Sequence, residues 1–176
     1  MLIRSNMKWT KKAARFLSTA SSQRQCITPA ITASSPIRGA KTAILFEGRA
    51  ITYAEVADSV MRVARNLVGD GLVPEQRVLV CMQDRPEFAY AWFGALKAGA
   101  VVTQINPMLP AADYAYYLDY VKPQFVFLDE MSLGAFEKAL ATTRYCGGAK
   151  NVIVVGDASG RATFDAWMQR KADAEP

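Results

Sequence analysis

Beyond residue 41, short apolar runs alternate with longer segments in which apolar residues recur every three or four positions. Short runs rich in valine, isoleucine and phenylalanine favour buried strands, and a recurrence near 3.6 residues favours helices. Strands alternating with such helices predict right-handed βαβ crossovers. The predicted fold class is therefore α/β, a mostly parallel, doubly wound sheet with helices on both faces. Its predicted strands are RVLVCM, AVVTQI, QFVFLD and NVIVVG.

The segment before these strands indicates a hairpin followed by a helix. Two β-branched and aromatic runs flank Glu47-Gly48-Arg49, where glycine supplies the backbone freedom that a turn requires. Thr52 and Glu55 have the spacing of a capping box, which predicts that a helix begins at Thr52. Gly69-Asp70-Gly71 is expected to end that helix. Its predicted inward stripe is Val56, Val60, Val63 and Leu67.

The segment Pro86–Ala98 is apolar almost all round, which predicts a deeply buried helix. Asp84 and Pro86 are expected to open it, because a proline in the first turn loses no hydrogen bond. Gly99 is expected to end the helix in the left-handed conformation, and Asn106-Pro107 to end the next strand. Later helices are predicted in AADYAYYLDYV, LGAFEKALATT and TFDAWMQRK.

Residues 1–40 form a basic extension without the periodicity of a core. A cationic stripe lies beside an apolar stripe, and serines follow, which is typical of a mitochondrial transit peptide. Arg15–Ser18 also resembles a matrix-processing site. A plain basic extension, with Met7 as another start, and a membrane-surface helix are the alternatives. All three interpretations keep residues 1–40 outside the fold. A transit peptide predicts that the protein is located in the mitochondrial matrix, and the other interpretations predict the cytoplasm.

Composition excludes several functions. The 176 residues suffice for one domain, and no apolar run reaches the roughly 18 residues that span a bilayer. The absence of histidine excludes Ser-His and Cys-His catalysis and a His-ligated metal within this chain. The three cysteines are scattered, which disfavours a disulfide framework or zinc site. Eight of the 21 basic residues precede Glu47, leaving 13 against 16 acidic ones, so a nucleic-acid partner is not expected.

The loops after the predicted strands are where an open α/β sheet would carry a ligand. Gly156–Arg161 resembles a phosphate cradle, but it lacks the spacing of a P-loop, and a surface turn is favoured. Asp129-Glu130 could hold Mg²⁺, but adjacent residues of a strand point to opposite faces. Helix capping is therefore the favoured role for this pair.

Three other features have structural explanations. Cys81 lies within an apolar run and is interpreted as an inert core thiol. A buried core helix explains the aromatic residues Phe88, Tyr90, Trp92 and Phe93. A cap and a packing face are the roles expected of Asp113, Tyr114, Tyr116 and Tyr117. No complete active site is visible, so no catalytic, cofactor-binding or metal-ligating residue is assigned.

Three sequence boxes, taken in order, resemble the beginning of the adenylate-forming enzymes. Thr52-Tyr53-Ala54-Glu55 is similar to a TYxEL box, with Val56 in place of leucine. Ala95–Ala100 is similar to an LKAGA box, and Asn106-Pro107 to the NP that follows the next strand. The likeness runs from about Lys41 through Trp167, and NPMLPAADYAYYL is similar to benzoate-type or medium-chain CoA ligases. Glu75–Val78 departs from the usual Gly-Asp-Arg-Val.

The resemblance implies that residues 41–176 are the incomplete amino-terminal subdomain of a longer, AMP-dependent carboxylate–CoA ligase. Such an enzyme uses ATP, Mg²⁺ and CoA to convert a carboxylic acid to its thioester through an acyl-AMP. The motifs that bind these cofactors come later in the family, so tight cofactor binding and activity are not expected here. A non-catalytic α/β binding or interaction module is the alternative function. A third candidate function is that of a flavodoxin-like nucleotide-binding protein that uses the Gly156 loop.

Overall fold

The structure is a computed structural model that describes residues 39–145 and 151–170 together with the two-residue strand Lys8–Trp9. Eight strands are present in this described part: β1 Lys8–Trp9, β2 Thr42–Phe46, β3 Arg49–Thr52, β4 Arg77–Cys81, β5 Val101–Gln104, β6 Phe125–Asp129, β7 Val152–Val155 and β8 Ala162–Thr163. Its helices are α1 Tyr53–Gly69, α2 Pro86–Lys97, α3 Ala111–Val121, α4 Glu130–Leu140 and α5 Phe164–Met168. Within this part of the chain, no helix is long and apolar enough to cross a membrane.

Five strands form a wholly parallel sheet in the order β5-β4-β6-β7-β8. The chain moves outward from β4 to β5 through α2, then crosses back through α3 to β6 on the other side of β4. The strand order therefore reverses between β4 and β6, which makes the carboxyl ends of these strands a topological switch point. The predicted fold class is confirmed.

Side chains alternate between two cores because successive residues of a strand point to opposite faces. Val78 and Val80 of β4 contribute to the core that contains α1, α2 and α5. Leu79 and Cys81 belong to the core beneath α3 and α4. Covering helices on both faces explain why β4 and β6 are apolar at nearly every position.

The hairpin and α1 form as the sequence predicts. Glu47 and Gly48 have positive φ values of 47° and 79°, which lets the chain turn in two residues between β2 and β3. Thr52 caps α1: its side chain accepts from Glu55 N–H, and the Glu55 carboxylate accepts from Thr52 N–H at 2.7 Å. The capping box is therefore confirmed.

The first strand corrects one expectation about the amino-terminal segment. Lys8 and Trp9 pair antiparallel with Leu45 and Ile44 of β2, so these two residues lie within the fold. The edge of β2 offers unpaired N–H and C=O groups, and backbone pairing with them requires no side-chain periodicity. Amphipathic spacing therefore gave no sign of this strand. Most of the segment assigned to a transit peptide lies outside the described residues, and mitochondrial targeting stays a prediction.

Two helix starts also differ from the sequence reading. The N-cap of α3 is Pro110 without a side-chain hydrogen bond, so the capping role expected of Asp113 is wrong. Asp113 lies in the first turn instead, where the positive end of the helix dipole stabilises its negative charge. The N-cap of α2 is Arg85 rather than Asp84, again without a side-chain bond. Pro86 begins α2 as expected, and Gly99, with φ at 82°, follows its end.

The α1 and α2 helices pack closely against each other at Gly94. A Cβ atom added there would lie 2.5 Å from Val63 Cβ and 3.1 Å from the Val60 carbonyl oxygen. The first distance is far shorter than a normal carbon–carbon contact and the second is tight, so a side chain at residue 94 would push the helices apart. The bare backbone at residue 94 therefore sets the distance between α1 and α2.

The short α5 helix is tied to the carboxyl end of α1. Trp167 Nε1 donates to Asp70 Oδ2 at 2.7 Å, and the Arg170 guanidinium binds the same carboxylate oxygen. Asn66, which is buried, donates from Nδ2 to the Trp167 carbonyl at 2.7 Å. These bonds join residues about a hundred positions apart and close the end of α5 against α1.

Candidate functional site

The carboxyl ends of β4 and β6 are the first place to seek a ligand site, and Asp129 lies there with only 1% of its surface exposed. Its Oδ2 atom accepts from Gln83 N–H at 2.8 Å, and its Oδ1 atom accepts from Ser132 N–H at 2.9 Å. Ser132 Oγ in turn donates to the Cys81 carbonyl oxygen at 2.9 Å and accepts from Asp129 N–H. Asp129 therefore fastens the loop after β4 to the start of α4.

The pair Asp129-Glu130 has the structural role that the sequence favoured. Asp129 caps α4, and both of its carboxylate oxygens accept backbone amides. Glu130 points elsewhere and accepts from Asp157 N–H at 3.1 Å. Among the described residues, no three acidic, histidine or cysteine side chains gather as ligands of a metal would. These carboxylates therefore do not fit a Mg²⁺ site.

The loop Gly156–Arg161 is a turn filled by side chains of this protein. A Cβ atom at Gly156 would lie 2.6 Å from Glu130 Cδ, so the glycine makes room for that carboxylate. The Asp157 side chain accepts from Ser159 N–H at 3.0 Å, and Arg161 binds Glu137. Because internal carboxylates accept two of the loop amides, this geometry favours the surface turn over a phosphate cradle.

Cys81 forms part of a buried hydrogen-bond chain on the other face. Its Sγ atom lies 2.8 Å from the Tyr114 hydroxyl, which donates to the Pro107 carbonyl at 3.0 Å. Because the hydroxyl hydrogen is used in that bond, the thiol donates to the Tyr114 oxygen. Tyr114 therefore fastens the Asn106-Pro107 loop to β4. Burial raises the pKa of Cys81 to about 12 and also raises the pKa of Tyr114.

Tyr114 is a packing residue as predicted, but Tyr116 is 62% exposed, so its predicted packing role is wrong.

We expect Cys81 to resist thiol reagents while the protein is folded. At pH 8 almost none of a thiol with a pKa of about 12 is ionised, and the thiolate is the reactive form. The measurement is mass spectrometry of the full chain carrying Cys26→Ser and Cys146→Ser, treated with N-ethylmaleimide with and without urea. Modification at Cys81 is expected only with urea; rapid labelling of the native protein would contradict the inert role.

The aromatic helix α2 is largely core, but it also borders a cleft. Phe93 is buried, and Phe88 and Trp92 are half-buried and stack with ring centroids 5.8 Å apart. Tyr90 faces a cavity of about 490 Å³ between the β2–β3 hairpin, α1, α2 and α5. Its apolar lining includes Phe46, Ile51, Pro86, Phe164 and Met168, and its ionisable lining Glu47, Arg49, Glu87 and Asp165.

The charges of this cleft are unequally compensated. Arg49 lies 3.5 Å from Glu55, and Glu87 lies 3.2 Å from Arg85. Among the described residues, neither Glu47 nor Asp165 has a basic group within ion-pair distance. Burial raises the pKa of the Tyr90 phenol, and the negative charge of the Glu87 carboxylate raises it further. The raised pKa is consistent with a negative potential in the cleft.

The doubly wound sheet and its switch point define an α/β domain of the class that carries small-molecule sites at the carboxyl edge. The chain belongs to the AMP-binding enzyme family, whose model matches residues 33–175. The predicted resemblance to adenylate-forming enzymes of the acyl- and aryl-CoA ligase branch is confirmed.

Individual relatives agree with the family. The 4-hydroxybenzoate–CoA/benzoate–CoA ligase of Rhodopseudomonas palustris is 32% identical over 121 residues, 69% of this chain and 22% of that protein. Benzoate–CoA ligase of Thauera aromatica is 40% identical over 82 residues, 46% of this chain and 16% of that protein. A solved benzoate CoA ligase from Burkholderia xenovorans LB400 is similar with a TM-score of 0.73 and 27% identity, over 83% of this chain and 28% of that one. This chain thus spans about a fifth of the length of these curated relatives.

Proposed function

We propose that this chain is the amino-terminal part of the large domain of an ATP-dependent carboxylate–CoA ligase. In the complete reaction, a carboxylate oxygen attacks the α-phosphorus of ATP, giving acyl-AMP and pyrophosphate, and the CoA thiol then displaces AMP. The observation that carries the proposal is the family match over residues 33–175, with benzoate–CoA ligases among the relatives. Aromatic carboxylic acids are accordingly the substrate class we favour.

The role proposed for this part of the ligase is mechanical support. Asp129, Ser132 and Gln83 join the carboxyl ends of β4 and β6 through short hydrogen bonds. Tyr114 fastens the loop after β5 to the same sheet by its contacts with Cys81 and Pro107. A sheet edge held this firmly can position segments that pack against it, and pre-organisation of this kind is what adenylation requires.

We further propose that this chain does not adenylate a carboxylate by itself. Charge develops on the phosphate oxygens in the transition state, so cations and N–H donors must already be aimed at them. Here Asp129 and Glu130 accept backbone amides, and Arg161 is paired with Glu137. In the complete ligase, ATP and Mg²⁺ would be held by groups that this chain does not supply.

The test is ATP–pyrophosphate exchange by the purified 176-residue chain, with benzoate, 4-hydroxybenzoate and hexanoate offered in turn. We expect no exchange above a protein-free blank, because at the described edge of the sheet the carboxylates and Arg161 are already engaged by groups of this protein. A benzoate–CoA ligase of the Thauera aromatica type serves as the positive control. Exchange that depends on one of the acids would overturn the proposed inactivity and show a site in this chain.

The alternative is a non-catalytic module derived from such an enzyme. Sequencing transcripts across the codon for Pro176 distinguishes the two. A continuous reading frame that adds a Ser/Thr/Gly-rich loop ending in Pro-Lys supports the ligase. Transcripts that all stop there, or continue into unrelated sequence, support the module.

A further inference from the structure

We propose that the free edge of β5 pairs with β5 of a second copy of this chain, in antiparallel orientation about a twofold axis. Within the described part of the chain, β5 ends the parallel sheet and has β4 as its single strand neighbour. Such an edge presents unpaired N–H and C=O groups to any strand that approaches it. The inference concerns the chain of 176 residues and does not depend on the proposed ligase function.

The direction of the backbone groups on this edge follows from the bonds on the other side of β5. Val101 and Ile105 donate their N–H groups, at 2.9 and 3.2 Å, to carbonyl oxygens on the β4 side. N–H and C=O groups alternate in direction along a strand. Those of Val102 and Gln104 therefore point away from β4, toward the open side, where a further strand can bind them.

The strand β5 is more exposed than the strands inside the sheet. Each of its residues is partly or largely exposed, and Val101 is 45% exposed, whereas every residue of β6 and β7 is buried. Met108, which is 63% exposed, adds an apolar side chain beyond the carboxyl end of β5. Antiparallel pairing brings the Val101 end of one copy to the Met108 end of the other, so it covers apolar surface at both ends.

This edge lacks the features by which proteins protect an edge strand. Between Lys97 and Asp113 the sequence contains no charged residue, and β5 contains no proline. The opposite edge of the same sheet is protected, because β8 is two residues long and has Arg161 and Asp165 near its ends. Short length and charge prevent edge-to-edge pairing, so β5 is the edge of this sheet that stays open to a partner.

A second copy suits this edge because the edge is complementary to itself. When the outward-facing groups are matched, Val102 lies opposite Gln104 of the second copy, and Thr103 lies opposite Thr103. Threonine pairs across antiparallel strands are favourable. The first charged residues beyond the uncharged stretch are Lys97 at its amino end and Asp113 at its carboxyl end. Antiparallel pairing places these opposite charges toward the same end of the interface, where they attract each other.

The experiment combines sedimentation equilibrium of the full chain with amide hydrogen exchange in dilute and concentrated protein, under reducing conditions that prevent cysteine cross-links. The pairing is short, so we expect weak association that becomes extensive only toward about 1 mM protein. Exchange at Val102 and Gln104 should then be about fivefold slower than in dilute protein, because a bonded amide exchanges only when it opens. Thr103 is the internal control, since its N–H points toward β4 and should not respond to concentration.

Three outcomes would overturn the proposal. A chain that stays monomeric, with rapid exchange at Val102 and Gln104, has an edge that no second copy covers. Slow exchange at these two amides in a monomer would show that another segment of this chain covers the edge. Dimers without slower exchange at these amides would show that association uses a different surface.

The substitution Gln104→Pro tests the edge directly. Proline removes the outward-facing N–H group but no hydrogen bond to β4, so the monomer should keep its fold. Gln104→Ala is the matched control, because it loses the same exposed side chain and keeps the N–H group. Association is expected to weaken about tenfold in Gln104→Pro and less than about twofold in Gln104→Ala. Equal effects of the two substitutions would overturn the assignment.

A second variant adds a charge to the edge and leaves its backbone intact. Val101→Lys replaces a side chain that is already 45% exposed, so the fold should tolerate it. The lysine places the same charge on both copies, in the way that natural edge strands avoid pairing, and association should fall about tenfold. Circular dichroism verifies that each variant is folded, and dimers that persist unchanged in Val101→Lys would contradict pairing at β5.

Discussion

Gly94→Ala is expected to lower the free energy of unfolding by about 2 kcal/mol, although alanine is intrinsically the better helix former. The added methyl group would lie 2.5 Å from Val63 Cβ and 3.1 Å from the carbonyl oxygen of Val60. Neither atom is the end of a flexible side chain, so α1 and α2 must move apart. Chemical unfolding in urea, followed by circular dichroism, measures the loss.

Gly134→Ala provides the matched control. Gly134 lies in α4, and an added Cβ would meet nothing within 4 Å. That substitution should raise stability by about 0.5–1 kcal/mol, because alanine loses less conformational freedom in a helix. If the two variants change stability in the same direction, the close approach at Gly94 does not limit the packing of α1 against α2.

A double-mutant cycle tests the contact itself. Val63→Ala alone removes buried methyl groups and should destabilise the protein. Combined with Gly94→Ala, it removes Val63 Cγ1, which the new methyl group would strike, and leaves a smaller residue that can shift more easily although its Cβ remains. The two losses should therefore be less than additive, with a coupling of about 1 kcal/mol or more. Strict additivity would show that the destabilisation arises elsewhere.

Asp129→Asn should cost about 1–3 kcal/mol although it preserves the shape of the side chain. Both carboxylate oxygens accept backbone N–H groups, from Gln83 and from Ser132. An amide offers one acceptor and one donor, so one buried N–H group would face another N–H group. Urea unfolding measures the total loss, and amide hydrogen exchange at Gln83 and Ser132 shows whether the site opens locally.

The exposed Asp113 is the comparison for Asp129. Asp113→Asn keeps a similar side chain at a helix start but breaks no side-chain cap, so a change within about 0.5 kcal/mol is expected. Equal effects of the two substitutions would show that the loss at Asp129 reflects a general preference for negative charge near helix starts. Faster exchange confined to Gln83 and Ser132 in Asp129→Asn would support the bridging role.

Local patterns allowed much of this fold to be predicted. The Thr52–Glu55 capping box uses atoms three residues apart, and the buried runs of β4 and β6 reflect cover on both faces. The strand order β5-β4-β6-β7-β8 could be established only from the hydrogen-bonded pairing in the structure, because periodicity does not show which strands are neighbours. Residues 164–168 are helical, whereas periodicity predicted a longer helix from Thr163.

Long-range relations explain what the sequence concealed. The capping role of Asp129 was visible, but its second bond, to Gln83, joins residues 46 positions apart. Gly94 was hidden within an apolar helix, and only the neighbouring Val63 reveals why a side chain is excluded. The cleft requires the hairpin and α5 to come together, so no single segment signals it.

The bonds from Asn66 and Asp70 to Trp167 have a mechanical consequence. A force applied at Arg170 would first load α1, about a hundred residues earlier in the sequence, rather than peel α5 from the sheet. Any partner attached at that position would therefore be coupled rigidly to α1, and through the bare backbone of Gly94 to α2 as well.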